Sequence, residues 1–132
     1  MNYPRIYLEA IRSGAEVVSK KVRTVYEREV GWMDEPPEDF PFYFDEAEGE
    51  RHIRFIEKFC RHSKGRFARK TMKLELFQKA KIQLVFGWRY KDTGFRRFTE
   101  VVDVRGRKCG KSTETAAVEW DVLLNDHESG PE

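Results

Sequence analysis

Only two of the 132 residues are cysteine, Cys60 and Cys109, and both stand alone. Neither has the paired spacing of zinc or redox motifs, so they read as the reduced thiols of a cytoplasmic protein. Long apolar runs are missing too. No stretch approaches the roughly 18 apolar residues of a membrane helix, and 36% of the chain is charged. The opening residues, MNYPRIYLEAIRSG, lack the charged-then-apolar layout of an export signal. Proline is scarce, and three of the five fall within residues 34–44. Lys and Arg are absent from residues 34–50 and again from 114–132.

Those gaps in positive charge frame a segregated chain whose formal net charge is only +2. Residues 34–50 hold eight acids, residues 51–73 hold nine bases against the single acid Glu57, and residues 114–132 hold six acids. Solvated helix faces that balance one another explain such blocks. That reading ranks above nucleic-acid binding, but the density of the basic block keeps a polyanion partner in play: Arg61, Lys64, Arg66, Arg69 and Lys70, with Phe55, Phe59 and Phe67 interleaved, are its candidate DNA contacts. The length fits one domain, and an apolar fraction of 39% with ten Phe is enough for one core.

Pro4 suits a first helical turn and Gly14 a helix exit, which predicts a short helix over 5–13. Val18, Val22, Val25 and Tyr26 recur at helical spacing and predict a second helix between Ala15 and about Val30. The run DEPPEDFPFYF, residues 34–44, cannot be regular helix and is expected to be an extended connection whose Phe40, Phe42 and Phe44 plug into neighbouring helices. Asp45 with Glu48 three residues on has the form of a capped helix start, and Ile53, Ile56 and Cys60 carry the stripe through roughly 46–62. KGRFARKTMK, residues 64–73, is aperiodic and basic and reads as a loop. Leu74 to Phe86 resumes helical spacing, with Gly87 as its expected cap.

Beyond Gly87 the pattern changes. Trp88–Tyr90 and Phe95–Val104 flank the turn KDTG and predict a β-hairpin. Its second run feeds RGRKCGKST, and Ala116, Ala117, Trp120, Leu123 and Leu124 then trace one face of a helix from Lys111 to about Asn125. Strand, glycine-containing loop, helix is the context in which backbone N–H groups converge on phosphate oxygens. On this reading backbone amides from Lys108 to Thr113 (Cys109 among them) cradle the phosphates of ATP. Gly110 permits close approach, Lys111 reaches the β and γ oxygens, and the Ser112 hydroxyl ligates Mg²⁺. The bland alternative is a basic surface turn. Arg105 occupies the place of the loop's usual first glycine, and Gly-Lys-Ser alone is a common string.

The stretches YLEAIRSG (7–14), FIEKFCRHSKGRF (55–67), LELFQKAKIQLVFGWRYKDTGFRRFTEV (74–101) and GRKCGKST (106–113) together resemble the N-terminal part of the large terminase subunit of tailed bacteriophages. In that family the phosphate loop commonly begins with a small residue followed by Arg, Lys or Gln, and ends in Gly-Lys-Ser or Gly-Lys-Thr. Gly106 to Ser112 have that form, which removes Arg105 as an objection. The resemblance implies the DNA-packaging motor, in the cytoplasm of a bacterial host, with ATP and Mg²⁺ as cofactors. It implies DNA, a completing terminase chain, the small subunit or the portal as partners, and no membrane. By position, Gly106 and Lys108 belong to the nucleotide cradle, Arg107 faces the γ-phosphate as a catalytic group, and Gln78 reads adenine. Gln78 as an exposed helix glutamine and Arg107 as a solvated loop arginine remain alternatives at this stage.

The expected fold is α/β: an α-rich N-terminal region followed by a β-hairpin and a strand–P-loop–helix unit of a truncated P-loop NTPase. The organisation expected is a helical region over 1–73 with an acidic, Pro-rich linker (34–45) and the basic block (51–73), the first part of an ATPase domain over 74–125, and a disordered tail over 126–132. The family's motor also carries an acidic strand end that activates water, a coupling motif and a nuclease domain. None of the acids Glu114, Glu119, Asp121, Asp126, Glu128 and Glu132 ends an apolar strand. Asp103 interrupts Val101, Val102 and Val104, where a buried parallel strand tolerates charge poorly. The expectation is therefore a chain that grips ATP without hydrolysing it alone, with a non-catalytic DNA- or protein-binding module as the alternative.

Overall fold

The computed structural model describes residues 1–59 and 73–98. They form four helices and two short strands: α1 (Tyr3–Ser13), α2 (Lys20–Asp34), β1 (Phe42–Phe44), α3 (Glu46–Phe59), α4 (Leu76–Gly87) and β2 (Trp88–Tyr90). The mixed α/β character expected from the sequence is present as helices around a small antiparallel sheet.

The ends of α1 are set by its flanking residues. The Asn2 side chain accepts the Arg5 N–H at 3.1 Å, Pro4 lies in the first turn, and Gly14 leaves the helix at φ 85°. Such a left-handed exit favours a residue without Cβ. The second helix starts later than its apolar spacing suggests. Residues 14–19 form the connection, and the Ser19 hydroxyl accepts the Val22 N–H at 3.3 Å, so the helix begins at Lys20 and continues to Asp34. The buried face of α2 carries Tyr26, Glu29 and Val30, while Val22 and Val25 are exposed. The expected valine stripe is thus displaced toward the helix's C-terminal half.

Asp45 caps α3 as expected, its carboxylate accepting the Glu48 N–H at 3.0 Å, and the described part of α3 ends at Phe59. The fourth helix runs from Leu76, two residues later than expected. Gly87 lies inside it as the last residue, and Trp88 takes the capping position in an extended conformation. Gly87 is required for a different reason: a Cβ there would sit 2.6 Å from the Phe44 ring and 3.1 Å from the Asp45 carbonyl oxygen.

α4 is the central element. Its Ala80 and Leu84 join Tyr7, Leu8, Ile11, Tyr26, Val30 and Trp88 in one core cluster, while its Ile82 and Phe86 join Ile53, Ile56 and Leu74 in a second. A helix packed on opposite sides needs apolar residues on both. The fully buried Gln83 amide is bonded at both its oxygen and its nitrogen. Its oxygen accepts the Tyr3 N–H at 2.6 Å, and its nitrogen donates to the carbonyls of Met1 (2.8 Å) and Glu46 (2.9 Å).

β1 and β2 pair antiparallel, with Phe42 opposite Tyr90, Tyr43 opposite Arg89 and Phe44 opposite Trp88. The aromatic run 40–44 packs against the core cluster built from α1, α2, α4 and Trp88: Phe40 lies 5.4 Å from the Trp32 ring of α2, and Phe40 and Phe44 meet Trp88 of β2 edge-on at 5.7 and 5.3 Å. The hairpin after β2 is present as far as it is described. Gly94 turns at φ 75°, the Tyr90 N–H donates to the Phe95 carbonyl, and the Arg97 N–H donates to the Trp88 carbonyl. An antiparallel bridge joins Arg89 to Arg96. β2 therefore lies between β1 and the start of the second hairpin run.

Candidate functional site

Gln78 is the candidate site residue whose surroundings are described. It stands in the first turn of α4 and is 8% exposed, so the reading of an exposed helix glutamine is corrected. The Glu75 N–H donates to its Oε1 at 2.9 Å, and its own backbone N–H faces the Glu75 carboxylate. This reciprocal capping box satisfies two donors that a helix start leaves without intrahelical partners. The oxygen of the carboxamide is thereby committed to the start of α4.

The hairpin that leads toward the glycine loop is fastened by Arg97. Its guanidinium lies 4.7 Å from the Phe42 ring centre, 4.8 Å from Phe98, 5.2 Å from Trp32, 5.3 Å from Trp88 and 5.8 Å from Phe40. It donates at 3.0 Å to Glu29, a carboxylate only 1% exposed, whose other oxygen accepts from Arg28 at 3.0 Å. A buried carboxylate persists when its charge is paired and its oxygens are hydrogen-bonded. Cation–π attraction from several rings adds to the pairing, since the ring faces carry negative potential. Glu29, Arg97 and the rings thus join α2, β1, β2 and the hairpin.

A second polar cluster lies where α3 meets the sheet. Arg51 grips Glu48 with two bonds of 2.6 and 3.1 Å, and Arg89 reaches the same carboxylate at 3.3 Å while donating to the Phe86 carbonyl at 3.0 Å. The hydrogen bond from Arg51 holds the Glu48 carboxyl below the usual carboxylate range, against the opposing effect of its burial. His52 is fully buried and stacks on Phe86 at 4.2 Å. Glu48 and Arg89, with Tyr43, Asp45, Thr93, Gly94 and Phe95, line a cleft beside the hairpin turn.

Residues 76–131 match the family described as terminase large subunit, ATPase domain. The resemblance to a terminase large subunit read in the sequence is shown by this match, which begins at α4 and contains the whole glycine loop. No curated protein and no solved structure matches the chain. The remaining candidate residues of the terminase reading lie outside the described residues: Gly106, Arg107, Lys108, Cys109, Gly110, Lys111, Ser112 and Thr113 of the loop, and Arg61, Lys64, Arg66, Arg69 and Lys70 of the basic block.

Of that block, the described arginines are paired within α3, Arg51 with Glu48 and Arg54 with Glu50 at 3.2 Å. Among the described residues no group of three or more His, Cys, Asp or Glu is placed to hold a metal, and no helix is long and apolar enough to cross a membrane. Sequence reasoning missed Glu29 and Arg97. Glu29 is three residues from Tyr26 and adjoins Val30, so helical geometry alone puts it on the buried face. No comparable signal separates Arg97 from its neighbour Arg96.

Proposed function

We propose that this chain is the ATP-binding part of a phage DNA-packaging motor, and that the 132-residue polypeptide binds ATP with Mg²⁺ without turning it over by itself. The observation that carries the reading is the terminase ATPase match over residues 76–131, which takes in GRKCGKST. The chemistry of that donor set fits the ligand. Consecutive backbone N–H groups from Gly106 to Thr113 suit phosphate oxygens, the Lys111 ammonium suits their charge, and the Ser112 hydroxyl suits a hard divalent cation. Arg107 would face the γ-phosphate, where a guanidinium offsets charge that develops during transfer. A bound Mg²⁺ would supply further neutralisation of the phosphates.

Hydrolysis also needs a carboxylate that orients water, and this reading assigns none of the acids after Ser112 to that role. A completing terminase chain is the partner that would supply one; the small subunit and the portal are the further partners of this reading. Calorimetry with ATP and Mg²⁺ tests it: saturable binding that Lys111→Ala abolishes is expected, and no binding by the wild-type chain overturns it. Turnover by the purified chain that Lys111→Ala removes would overturn the incomplete-site part alone. The segregated charge favours a second reading, DNA binding through residues 51–73, which carry nine bases against one acid.

A further inference from the structure

We propose that the outer edge of β1 is a docking site for an extended segment of a partner polypeptide, one that adds to the sheet as a further strand and carries a bulky apolar side chain flanked by Lys or Arg.

The pairing on the inner side of β1 decides which backbone groups remain. The Lys91 N–H donates to the Pro41 carbonyl at 2.8 Å and the Asp45 N–H to the Gly87 carbonyl at 2.7 Å, in register with Phe42 opposite Tyr90 and Phe44 opposite Trp88. Bonded positions alternate along an antiparallel strand. Residues 41, 43 and 45 therefore face β2, and Phe42 and Phe44 turn their N–H and C=O groups to the other side. Neither backbone has a hydrogen-bond partner there among the described residues. β2 offers no such edge, because Trp88 and Tyr90 bond on to Arg97 and Phe95 of the hairpin. Two donors and two acceptors on alternate residues are the template that an added strand reads.

The edge adjoins a cleft of about 340 Å³ whose walls include all three residues of β1, Trp32 and Met33 of α2, Arg5 of α1, and Lys91. Largely aromatic walls with few polar groups suit one bulky apolar side chain. Charge sets the flanks of the partner. Glu35, Glu38 and Asp39, on the segment entering β1, are exposed and form no ion pair among the described residues. A Lys or Arg at the matching end of the incoming strand answers them. The same acids disfavour a second copy of this chain as the occupant. Antiparallel self-pairing of β1 sets Phe42 against Phe44 of the other copy and brings Glu38 and Asp39 toward that copy's Asp45, Glu46 and Glu48, and like charges so placed repel. A strand of three residues, preceded by Pro36, Pro37 and Pro41, is also too short to pair indiscriminately.

The probe is a dye-labelled, end-blocked heptapeptide, Lys-Thr-Val-Phe-Val-Thr-Lys, titrated by fluorescence anisotropy. Two further versions carry N-methyl groups on one or the other set of alternate amides. Saturable binding that one N-methylated version loses and the other keeps is expected, since an added strand bonds through one set only. No saturable binding, or the same affinity in both N-methylated versions, overturns the proposal. In the saturated complex, hydrogen exchange at the Phe42 and Phe44 amides, read by NMR, should slow about tenfold or more. Unchanged exchange there overturns the β1 edge as the site. Glu38→Gln with Asp39→Asn, both at exposed positions, should weaken the peptide about fivefold, the effect of two surface charge pairs; unchanged affinity overturns the Lys or Arg flank. A concentration-dependent dimer in sedimentation, with both amides protected in the absence of peptide, overturns the partner in favour of a second copy.

Discussion

Gly49 and Gln83 show how little freedom single positions have. A Cβ at Gly49 would lie 2.6 Å from Gln83 Cγ and 2.8 Å from its carbonyl oxygen, so α3 and α4 touch there backbone to backbone. Gly49→Ala must push the helices apart and disturb the three hydrogen bonds of the Gln83 amide. A loss of about 2 kcal/mol, in the range of overpacked cores, is expected from urea denaturation. Glu48 sets the acid limit. Its folded carboxyl titrates below its unfolded value because Arg51 holds it, so the stabilisation is complete above the usual carboxylate range and disappears as pH falls through the lowered folded value. Unfolding free energy measured from pH 7 down to 3 should fall at the acid end, and Glu48→Gln should flatten that part of the curve.

Among the elements, α4 is both the packed centre of the described fold and the first element of the terminase match. Gln78→Ala should remove its capping box and cost about 1 kcal/mol in thermal or chemical unfolding. If Gln78 also contacts adenine, the same variant loses preference for ATP over GTP in calorimetry; unchanged preference leaves capping as its role. Helix existence was legible from the Pro4 and Gly14 boundary signals in α1 and from 3.6-residue spacing in α3 and α4, because tertiary burial agreed there with local pattern. It was less so in α2, where Ser19 rather than the valine spacing sets the start and Glu29 occupies the buried face. The pairing of Phe42–Phe44 with Trp88–Tyr90 joins segments 46 residues apart. Nothing local encodes such a partner, and the prolines around 36–41 argued only for an extended chain.

For the whole molecule, charge is the coarse variable. Arg51 and Arg54 have acidic partners in α3, so they contribute less free positive potential than the sequence block suggests. If the DNA reading holds, affinity for duplex DNA should fall about a hundredfold between 50 and 200 mM salt in a fluorescence anisotropy titration, and removing three of Arg61, Lys64, Arg66, Arg69 and Lys70 should shallow that slope. Absence of binding at 50 mM salt would leave the nucleotide reading alone. The glycine loop is proposed from consecutive residues of the sequence alone. The contact that seats the start of the hairpin was not legible there, since Glu29 and Arg97 are 68 residues apart and meet only in the folded chain.

That meeting place has an optical consequence. Two of the three tryptophans, Trp32 and Trp88, hold their rings against the Arg97 guanidinium at 5.2 and 5.3 Å. A full positive charge at that range perturbs the excited indole, so the emission colour and yield of the native protein act as a gauge of whether the hairpin is seated. Unseating it without unfolding the helices would change the emission while the helical circular dichroism held constant. The chain thus carries its own label-free indicator of the junction, readable in any cuvette before a nucleotide is added.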